Sequence, residues 1–396
     1  MGVVTAVLDL VALALLVPTT VLLVECAAAC LPARRRAAAP AGRRPRTAVI
    51  VPAHNEAAGI GACVEQLRRQ LRPEDRLLVV ADNCDDDTAV RARVAGAVVV
   101  ERRDVHRWGK GYALDYALRV LEDDPPEVVV MVDADCVAAD GTIDTIACEA
   151  AVAGRPVQAT YLSEPSGDAT FTDRVSALAV VVKNLVRPRG LARLGLPCLL
   201  TGAGMAFPWS VLRVVSVAGG ETAEDMRLAV RLAVAGYPPT HSPAIITTVQ
   251  PGEWHAARLQ RTRWEHGHLE TLRVVGPQVV AAIMRQRRIG LLAVALELSV
   301  PPLSLLVMLW VGAAAVALLA GGMGASWTPA ALLASSGLLL LGAVGMAWVA
   351  FGRRTLPPRE LRAIPLYVLR KIPMYLAFVT RRQSTWIRSR KGGDRR

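Results

Sequence analysis

Between residues 47 and 276, short runs of β-branched residues alternate with longer segments of helical periodicity. Candidate strands lie at residues 48–51, 77–80, 97–100 and 128–132, and candidate helices at residues 59–71, 88–94 and 112–121. This alternation predicts an α/β domain in which helices cover a mostly parallel sheet. In folds of this class, ligands bind beyond the carboxyl ends of the strands.

Acidic and amide side chains follow three of these candidate strands. Asn55 and Glu56 follow the first strand, Asp82 follows the second, and Asp133 and Asp135 follow the fourth. Two carboxylates one residue apart at a strand end can project the same way and share a hard cation such as Mg²⁺ or Mn²⁺. The same pair can also end a strand as a polar turn. The pair alone leaves both interpretations open.

Long apolar segments flank the α/β pattern on both sides. The chain is 53% hydrophobic, and its apolar residues concentrate at positions 3–24, 291–320 and 329–351. Each segment is long enough to cross a bilayer. Pro301 and Pro302 interrupt the second segment, which predicts a kinked helix or a short leading segment followed by a span. Residues 363–379 include Arg370 and Lys371 and are predicted to form a helix at the membrane surface.

These patterns divide the chain into five predicted regions. They are a transmembrane helix at residues 1–26, a basic linker at 27–46, the α/β domain at 47–276, a transmembrane region of two spans at 277–352, and an interfacial helix with a basic tail at 353–396.

The net charge of +12 comes from arginine clusters beside the apolar segments. No recognised nucleic-acid module is present, so nucleic acid is not an expected partner. Positive residues are retained on the cytoplasmic side of a membrane. The sequence therefore predicts a multi-pass protein of the inner membrane, in contact with its lipids, with the α/β domain in the cytoplasm. Seven scattered cysteines without metal spacing agree with a reducing compartment.

Two motifs admit a chemical and a structural interpretation. Lys110 lies between Gly109 and Gly111, and glycines allow a cation and the backbone to approach a phosphate. The same triplet can be an ordinary basic turn. Asp225 is a candidate general base, but with Thr222 it also has the spacing of a helix capping box.

Three further patterns limit the classes of function that the chain can have. The string Gln-Arg-Thr-Arg-Trp at residues 260–264 can bind a ligand or form an amphipathic helix near the membrane. His266 and His268 do not predict a zinc site, because a spacing of two directs the rings to different faces of a helix. The Thr-Gly-Ala-Gly string at residues 201–204 lacks the third glycine of a dinucleotide fingerprint and occurs late in the chain, which argues against a dehydrogenase.

Seven motifs occur in a fixed order along the α/β region. They are Val51-Pro52-Ala53-His54-Asn55-Glu56, Asp82-Asn83, Gly109-Lys110-Gly111, Asp133-Ala134-Asp135, Thr201-Gly202-Ala203-Gly204, Glu224-Asp225 and Gln260-Arg261-Thr262-Arg263-Trp264. Each motif is weak alone, but the ordered set resembles the membrane-bound family 2 glycosyltransferases. That group includes cellulose, chitin and hyaluronan synthases and ceramide glucosyltransferase. The resemblance covers residues 47–270, and the flanking apolar segments also fit.

The resemblance implies an α/β domain of the GT-A type that binds a nucleotide sugar, and it implies a role for each motif. Donor binding would fall to Pro52, His54, Glu56, Asp82, Lys110, Asp133, Asp135, Gln260 and Arg263. Asp133 and Asp135 would hold a Mg²⁺ or Mn²⁺ ion on the donor diphosphate, and Asp225, beside Glu224, would be the general base. The acceptor site would include Thr201, Gly202 and Trp264.

The resemblance further implies an inverting transfer from a nucleotide-diphosphate sugar, with a UDP-sugar expected, to a glycan or lipid acceptor. The Gln-x-x-Arg-Trp pattern favours a polysaccharide synthase. Three spans are few for a translocating channel, which favours a single transfer to a lipid or lipid-linked glycan. The alternative from another class is a catalytically silent membrane scaffold, and the presence of every expected acid and base argues against it.

Overall fold

The structure, a computed structural model, describes residues 2–32, 43–164, 170–221, 223–249 and 254–380. Within these ranges, the side chains of residues 249, 254–260 and 379–380 are not described. The chain divides into two compact units. The helical unit comprises Met1–Pro32, Ala169–Gly195 and Ala295–Arg382, and the sheet unit comprises Ala33–Asp168, Leu196–Val294 and Gln383–Arg396.

The strands that the structure describes form one sheet in the sheet unit. They are β1 (Thr47–Ala53), β2 (Arg76–Asp82), β3 (Val98–Arg102), β4 (Val128–Met131), β5 (Cys136–Ala138), β6 (Val157–Glu164), β7 (Met205–Pro208) and β8 (Thr240–Val249). Their spatial order is β3-β2-β1-β4-β7-β6-β8-β5. The first four strands in this order run parallel, as do β6 and β8, while β7 pairs antiparallel with both of its neighbours and β5 pairs antiparallel with β8.

The helices of the described chain are α1 (Gly2–Ala29), α2 (Ile60–Arg68), α3 (Thr88–Val94), α4 (Lys110–Leu121), α5 (Thr142–Ala153), α6 (Phe171–Val181), α7 (Arg187–Leu194), α8 (Trp209–Leu212), α9 (Glu224–Ala235), α10 (Trp254–Gln286), α11 (Ile289–Ser299), α12 (Leu303–Gly322), α13 (Thr328–Ala347), α14 (Ile364–Arg370) and α15 (Ile372–Thr380). A π-helical turn joins α6 to α7, and another extends α13 to Gly352.

The predicted α/β pattern is confirmed, with small differences at element ends. All four predicted strands are present, and β1 and β2 each continue further toward the site than predicted. Val49, Val51, Val128 and Val130 are fully buried in the core of the sheet unit, among residues of α2 and α5. Burial on both faces explains why these strands are continuous apolar runs rather than alternating ones.

Three described helices of the helical unit are long and apolar enough to cross a membrane: Gly2–Ala29, Leu303–Gly322 and Thr328–Gly352. Of the two forms predicted for the second apolar segment, the structure shows a short helix, α11, followed by a separate span, α12, with the two prolines between them. Residues 363–379 fall mostly in α14 and α15, which have 7 and 9 residues and are too short to cross a bilayer.

A buried ion pair lies inside the helical unit. The Arg187 Nε donates to Glu25 Oε2 at 2.5 Å, and its Nη2 donates to the Glu297 carbonyl oxygen at 2.8 Å. Helix α7 packs closely on α1 here, since a Cβ added at Gly190 would lie 1.9 Å from the Glu25 carbonyl oxygen. The arginine therefore ties the first span to both α7 and α11.

We expect Arg187→Met to destabilise the protein by about 3–5 kcal/mol, because it leaves the Glu25 carboxylate buried without its cation. Thermal unfolding in detergent measures the effect. The double variant Glu25→Gln/Arg187→Met should recover part of the loss, since it removes both charges. Equal stability of Arg187→Met and wild type would show that the pair contributes nothing.

The arginines at the end of the basic linker pair with acidic residues of the sheet unit. Arg43 contacts Glu127 at 2.7 Å, and Arg46 contacts Asp124 at 2.8 Å. Arg44 is buried and pairs with Asp75. These arginines therefore compensate carboxylates at the amino-terminal ends of β1, β2 and β4.

Candidate functional site

The predicted site residues gather at the carboxyl edge of the parallel strands. Strands β3, β2, β1 and β4 are adjacent and parallel, so the segments that follow them meet at one edge of the sheet. His54 and Glu56 follow β1, Asp82 ends β2, and Asp133 and Asp135 follow β4. Pro52 lies within β1 and pairs with Val80 across the sheet.

The loops after β1 and β2 bond to each other through backbone and side-chain groups. The Asn55 Oδ1 accepts from the Asp85 backbone N–H at 2.8 Å, and the Thr88 Oγ1 accepts from the Glu56 backbone N–H at the same distance. Asn55 and Asn83 both have positive φ, of 55° and 52°, a conformation that asparagine tolerates better than most residues. The asparagines of the first two motifs thus shape the loops that present Glu56 and Asp82.

Asp82 lies in a network that the sequence did not predict. Arg102, at the end of β3, is its partner in the parallel register, and Arg102 Nη1 donates to Asp82 Oδ1 at 2.6 Å. The His54 Nδ1 donates to the Asp82 carbonyl oxygen at 2.7 Å. Burial raises the pKa of Asp82, while Arg102 opposes that shift. A strand-end arginine carries no distinct sequence signal, because arginine at such a position is usually solvated.

The carboxylate oxygens of Asp133 and Asp135 lie close together. One oxygen from each and the Cys136 Sγ all lie within 4.8 Å of one another. Burial raises the pKa of Cys136 well above its ordinary value, which favours the thiol over the thiolate that binds metals. The donors that fit a cation are therefore two carboxylates, which suit a hard ion such as Mg²⁺ or Mn²⁺.

The Lys110 ammonium connects this carboxylate pair to the rest of the site. Its Nζ pairs with Asp133 Oδ1 and donates to the Gly202 carbonyl oxygen at 2.7 Å. Burial opposes its charge, but Asp133, Glu224 and Asp225 outweigh burial and raise the pKa of Lys110. Lys110 is therefore a fixed positive charge.

The fold favours glycine at both positions beside Lys110. Gly109 has a φ of 127°, which favours glycine, and it precedes the first residue of α4. A Cβ at Gly111 would lie 2.6 Å from the Gly219 carbonyl oxygen and 2.7 Å from that of Val217. The triplet is thus more than a basic turn, because it lets α4 begin against the backbone of residues 217–219.

Asp225 lies at the start of α9, and Gly202 approaches it closely. A Cβ at Gly202 would lie 3.4 Å from Asp225 Oδ2 and 3.9 Å from Lys110 Nζ. The other oxygen, Oδ1, accepts from the Met226 backbone N–H at 2.8 Å. The structure thus brings Lys110, Gly202 and Asp225 together.

The capping-box interpretation of Asp225 requires Thr222 at the N-cap position of helix α9. Helix α9 begins at Glu224 with Ala223 at its N-cap position, and Ala223 has no side-chain oxygen to cap the helix. Thr222, the residue that the interpretation placed there, lies outside the described residues. The Asp225 carboxylate accepts a hydrogen bond from the backbone N–H of its neighbour Met226.

Burial and the adjacent Asp225 carboxylate raise the pKa of Glu224 from 4.5 to about 7, although Lys110 opposes the shift. The folded protein therefore keeps a proton on Glu224 between about pH 4.5 and 7, where the unfolded chain has lost it. Stability from this group is fully present below pH 4.5 and is lost as the pH rises through 7.

We expect Glu224→Gln to remove this part of the pH dependence. The variant should gain on the order of 2–4 °C in Tm relative to wild type on going from pH 5 to pH 8. The exposed Glu74→Gln should parallel wild type across the same range and serves as the matched control. Parallel curves for Glu224→Gln and wild type would contradict the raised pKa.

Arg263 and Trp264 lie on α10, and both are partly exposed. Burial lowers the pKa of Arg263, while the Glu224 and Asp135 carboxylates act in the opposite direction, which places the guanidinium among the site carboxylates. The side chain of Gln260 lies outside the described residues.

Gln158 on β6 is a site residue that the sequence did not single out. Its Oε1 accepts from the Thr201 backbone N–H at 2.8 Å, and its Nε2 donates to the Ala203 carbonyl oxygen at 2.8 Å. The side chain is almost fully buried. It fixes the backbone on both sides of Gly202, at a position that local sequence gives no reason to inspect.

Comparisons with known proteins agree with this architecture. The family described as "Glycosyltransferase like family 2" matches residues 45–267. A mannosyltransferase from Pyrobaculum calidifontis, solved with GDP-Man and Mn²⁺, is 22% identical over 92% of this chain and 98% of its own, with a TM-score of 0.55. A glucosyl-3-phosphoglycerate synthase from Mycobacterium tuberculosis, solved with Mn²⁺, UDP and phosphoglyceric acid, is 21% identical over 57% of this chain and 78% of its own, with a TM-score of 0.36. No curated protein matches the chain. The predicted GT-A-type fold is confirmed.

Proposed function

Because this chain belongs to the glycosyltransferase-like family 2, we propose that it transfers a sugar from a nucleoside diphosphate sugar to an acceptor at the cytoplasmic face of a membrane. The resemblance of its motifs implies a UDP-sugar as donor. The observation that carries the proposal is the position of Lys110. Its ammonium contacts both Asp133 and the Gly202 carbonyl, and Gly202 in turn lies against Asp225. One cation thus joins the carboxylate pair to the candidate base.

The donor diphosphate is expected at Lys110, Asp133 and Asp135. An ammonium has three N–H donors, and the recorded contacts of Lys110 use two of them, which leaves one for a phosphate oxygen. The two carboxylates would hold a Mg²⁺ or Mn²⁺ ion, which supplies positive charge to offset that of the leaving diphosphate. The Pyrobaculum mannosyltransferase was solved with Mn²⁺ and a nucleotide sugar, which supports this choice of ion and donor class.

Asp225 is proposed as the general base. The Met226 backbone N–H holds Oδ1, so Oδ2 is the oxygen that faces Gly202. A carboxylate in that position can accept the proton of an acceptor hydroxyl as the hydroxyl attacks the anomeric carbon. Attack from the side opposite the diphosphate inverts the configuration of that carbon.

The segments around this centre complete the proposed site. Arg263, near Glu224 and Asp135, would bind diphosphate oxygens, for which a planar guanidinium is well shaped. Trp264, Thr201 and Gly202 would line the acceptor side, and Gln260 would assist at the donor. Pro52, His54, Glu56 and Asp82 would surround the nucleoside.

The acceptor is proposed to be a lipid or a membrane-bound glycan. Three described helices can cross a membrane, and Arg353 and Arg354 follow the last of them, as expected for a cytoplasmic end. Three spans favour a single transfer to a lipid or lipid-linked glycan over a polymer that must cross the membrane. The Gln-x-x-Arg-Trp motif favours a polymeric product, so the experiment must distinguish a polymer from a single added sugar.

Reconstitution in liposomes with radiolabelled nucleotide sugars tests this function. The proposal predicts label in a lipid-extractable or glycan product, and the length of the product separates a single transfer from polymerisation. One added sugar rules out the polymerase, whereas a ladder of lengths rules out the single transfer. Donor binding without label in any product would support the scaffold instead.

A further inference from the structure

Lys110 is held by the carbonyl of a turn at residues 201–203. Its Nζ donates to the Gly202 carbonyl oxygen at 2.7 Å. The described helices and strands leave this turn out, since it lies before β7, which begins at Met205. Gly202 has a φ of 96°, in the left-handed region that favours glycine. The position of its carbonyl therefore depends on groups outside the turn that bond to the backbone of the turn.

The Gln158 side chain bonds to the backbone on both sides of Gly202. Its Oε1 accepts from the Thr201 N–H, and its Nε2 donates to the Ala203 carbonyl oxygen, both at 2.8 Å. The Nε2 also donates to the Ala159 carbonyl oxygen at 2.8 Å. A glutamine amide has two N–H donors and one carbonyl oxygen. Both donors and the oxygen are thus engaged, which fixes the orientation of the amide.

Gln158 is itself held firmly in the sheet. Only 1% of this residue is exposed. The Ala159 N–H donates to the Gly204 carbonyl oxygen at 2.8 Å, and the Gly204 N–H donates to the Met131 carbonyl oxygen at 2.9 Å. Met131 ends β4, and Asp133 follows two residues later. The turn is therefore fixed relative to the same strand that positions Asp133.

The opposite side of the turn faces Asp225. A Cβ added at Gly202 would lie 3.4 Å from Asp225 Oδ2 and 3.9 Å from Lys110 Nζ. A shift of the turn toward these groups would narrow the space beside the carboxylate. A shift away from them would break the bond between the Gly202 carbonyl and Lys110. The turn therefore sets the position of the ammonium and the room for an acceptor hydroxyl at the same time.

We propose that Gln158 is a positioning residue for sugar transfer, an inference that rests on the proposed glycosyltransferase function. Because its amide is engaged by backbone groups, Gln158 acts through the turn rather than by touching the donor. It holds the Gly202 carbonyl on Lys110, where the donor diphosphate is expected, and it keeps the space beside Asp225 Oδ2 open. Its loss should lower kcat more than nucleotide affinity, because the carboxylate pair after β4 keeps its place.

Acetylation of lysines by sulfo-N-hydroxysuccinimide acetate, read by mass spectrometry in detergent, tests the position of Lys110 without turnover. The chain has four lysines, at positions 110, 183, 371 and 391, so each is resolved as its own peptide. Gln158→Met removes the amide from a side chain of similar size. It should raise the rate of Lys110 acetylation by about tenfold, because the ammonium loses a well-placed hydrogen bond. Gln158→Asn keeps both kinds of polar atom on a shorter side chain, so it should raise the rate less and still fold if the Met variant does not.

Release of nucleoside diphosphate from UDP-glucose, UDP-N-acetylglucosamine and GDP-mannose, with Mn²⁺ and membrane lipid extract, tests the kinetic role. Isothermal titration with UDP and GDP counts the folded binding sites, and the rate is expressed per site. Gln158→Met should lower kcat by about tenfold to a hundredfold, the usual cost of misplaced groups at a reaction centre. Its affinity for the nucleoside diphosphate should change little. A role confined to folding would lower the number of sites and leave the rate per site unchanged.

Gln70→Met is the matched control. Gln70 is half-buried, and its amide also joins two backbone groups, since Nε2 donates to the Ala138 carbonyl oxygen at 3.0 Å and Oε1 accepts from the Ile143 N–H at 3.4 Å. This variant should lose stability but keep the wild-type acetylation of Lys110 and the wild-type kcat.

Wild-type acetylation and wild-type kcat in both Gln158 variants would overturn the inference, whatever the change in Tm. Equal changes in Gln70→Met would overturn it as well, because they would show a general loosening of the sheet. No release by wild type from any donor would instead remove the proposed function and the kinetic role with it. The acetylation of Lys110 would then still decide whether Gln158 holds the turn.

Discussion

Asp225→Asn should lower the rate of sugar transfer by about 10² to 10⁴, the usual contribution of a general base. The amide has nearly the same shape as the carboxylate and can still accept the Met226 N–H, so the start of α9 is preserved. It cannot take a proton from the acceptor hydroxyl. The expected loss is therefore in kcat, measured as product formed at saturating donor, while the affinity for the nucleoside diphosphate changes little.

Asp123→Asn is the matched control for Asp225→Asn, because it makes the same chemical change at an exposed position after α4. It should transfer sugar at the wild-type rate. If Asp225→Asn matched the control, Asp225 would not be the base. If it lost nucleotide affinity and kcat together, Asp225 would act in donor binding rather than in proton transfer.

Asp135→Asn should weaken Mn²⁺ binding in the presence of nucleoside diphosphate by at least about tenfold. Even residues that only support metal ligands commonly contribute tenfold to a hundredfold to metal affinity. Electron paramagnetic resonance of free Mn²⁺ measures this without relying on turnover. Transfer should fall in parallel and be partly restored at high Mn²⁺ concentration.

Asp135 is a cleaner test of the cation site than Asp133. Asp133→Asn would also remove the partner of Lys110, so its effect mixes two causes. The exposed Asp140→Asn, a few residues further on, supplies the control and should bind Mn²⁺ as wild type does. Unchanged Mn²⁺ binding in Asp135→Asn would show that the two carboxylates only end their strand.

The sequence predicted the elements of the sheet unit and the edge at which the site lies. Strands such as β1 and β4 are strongly apolar and short, so their existence and burial follow from local composition. Once parallel neighbours are assumed, the residues after them meet at one edge, which is how Asp82 and Asp133 were both placed correctly.

The contacts of those residues could not be predicted in the same way. The partner of Asp82 is Arg102 because β3 lies beside β2 in the sheet, and strand order is not a local property. Gln158 lies next to Gly202 only because β6 pairs with β7. The ion pair of Glu25 and Arg187 joins positions 162 residues apart, and no local sequence pattern predicts such a pairing.

The partner of Arg44 could not be predicted from the sequence either. In a run of arginines beside an apolar segment, contact with lipid headgroups is the usual interpretation. The structure instead buries Arg44 against Asp75, whose other oxygen accepts the Thr47 backbone N–H at the start of β1. Charge alone cannot distinguish these partners, because acidic lipids and buried aspartates attract arginine for the same reason.

Release of nucleoside diphosphate is the most direct test that this chain is a metal-dependent glycosyltransferase. Purified wild type and Asp225→Asn would be supplied with Mn²⁺, membrane lipid extract and a panel of nucleotide sugars. We expect release from one donor by wild type, its loss on chelation of the metal, and a rate lower by about 10² to 10⁴ in Asp225→Asn. No release from any donor, or equal release by both proteins, would contradict it.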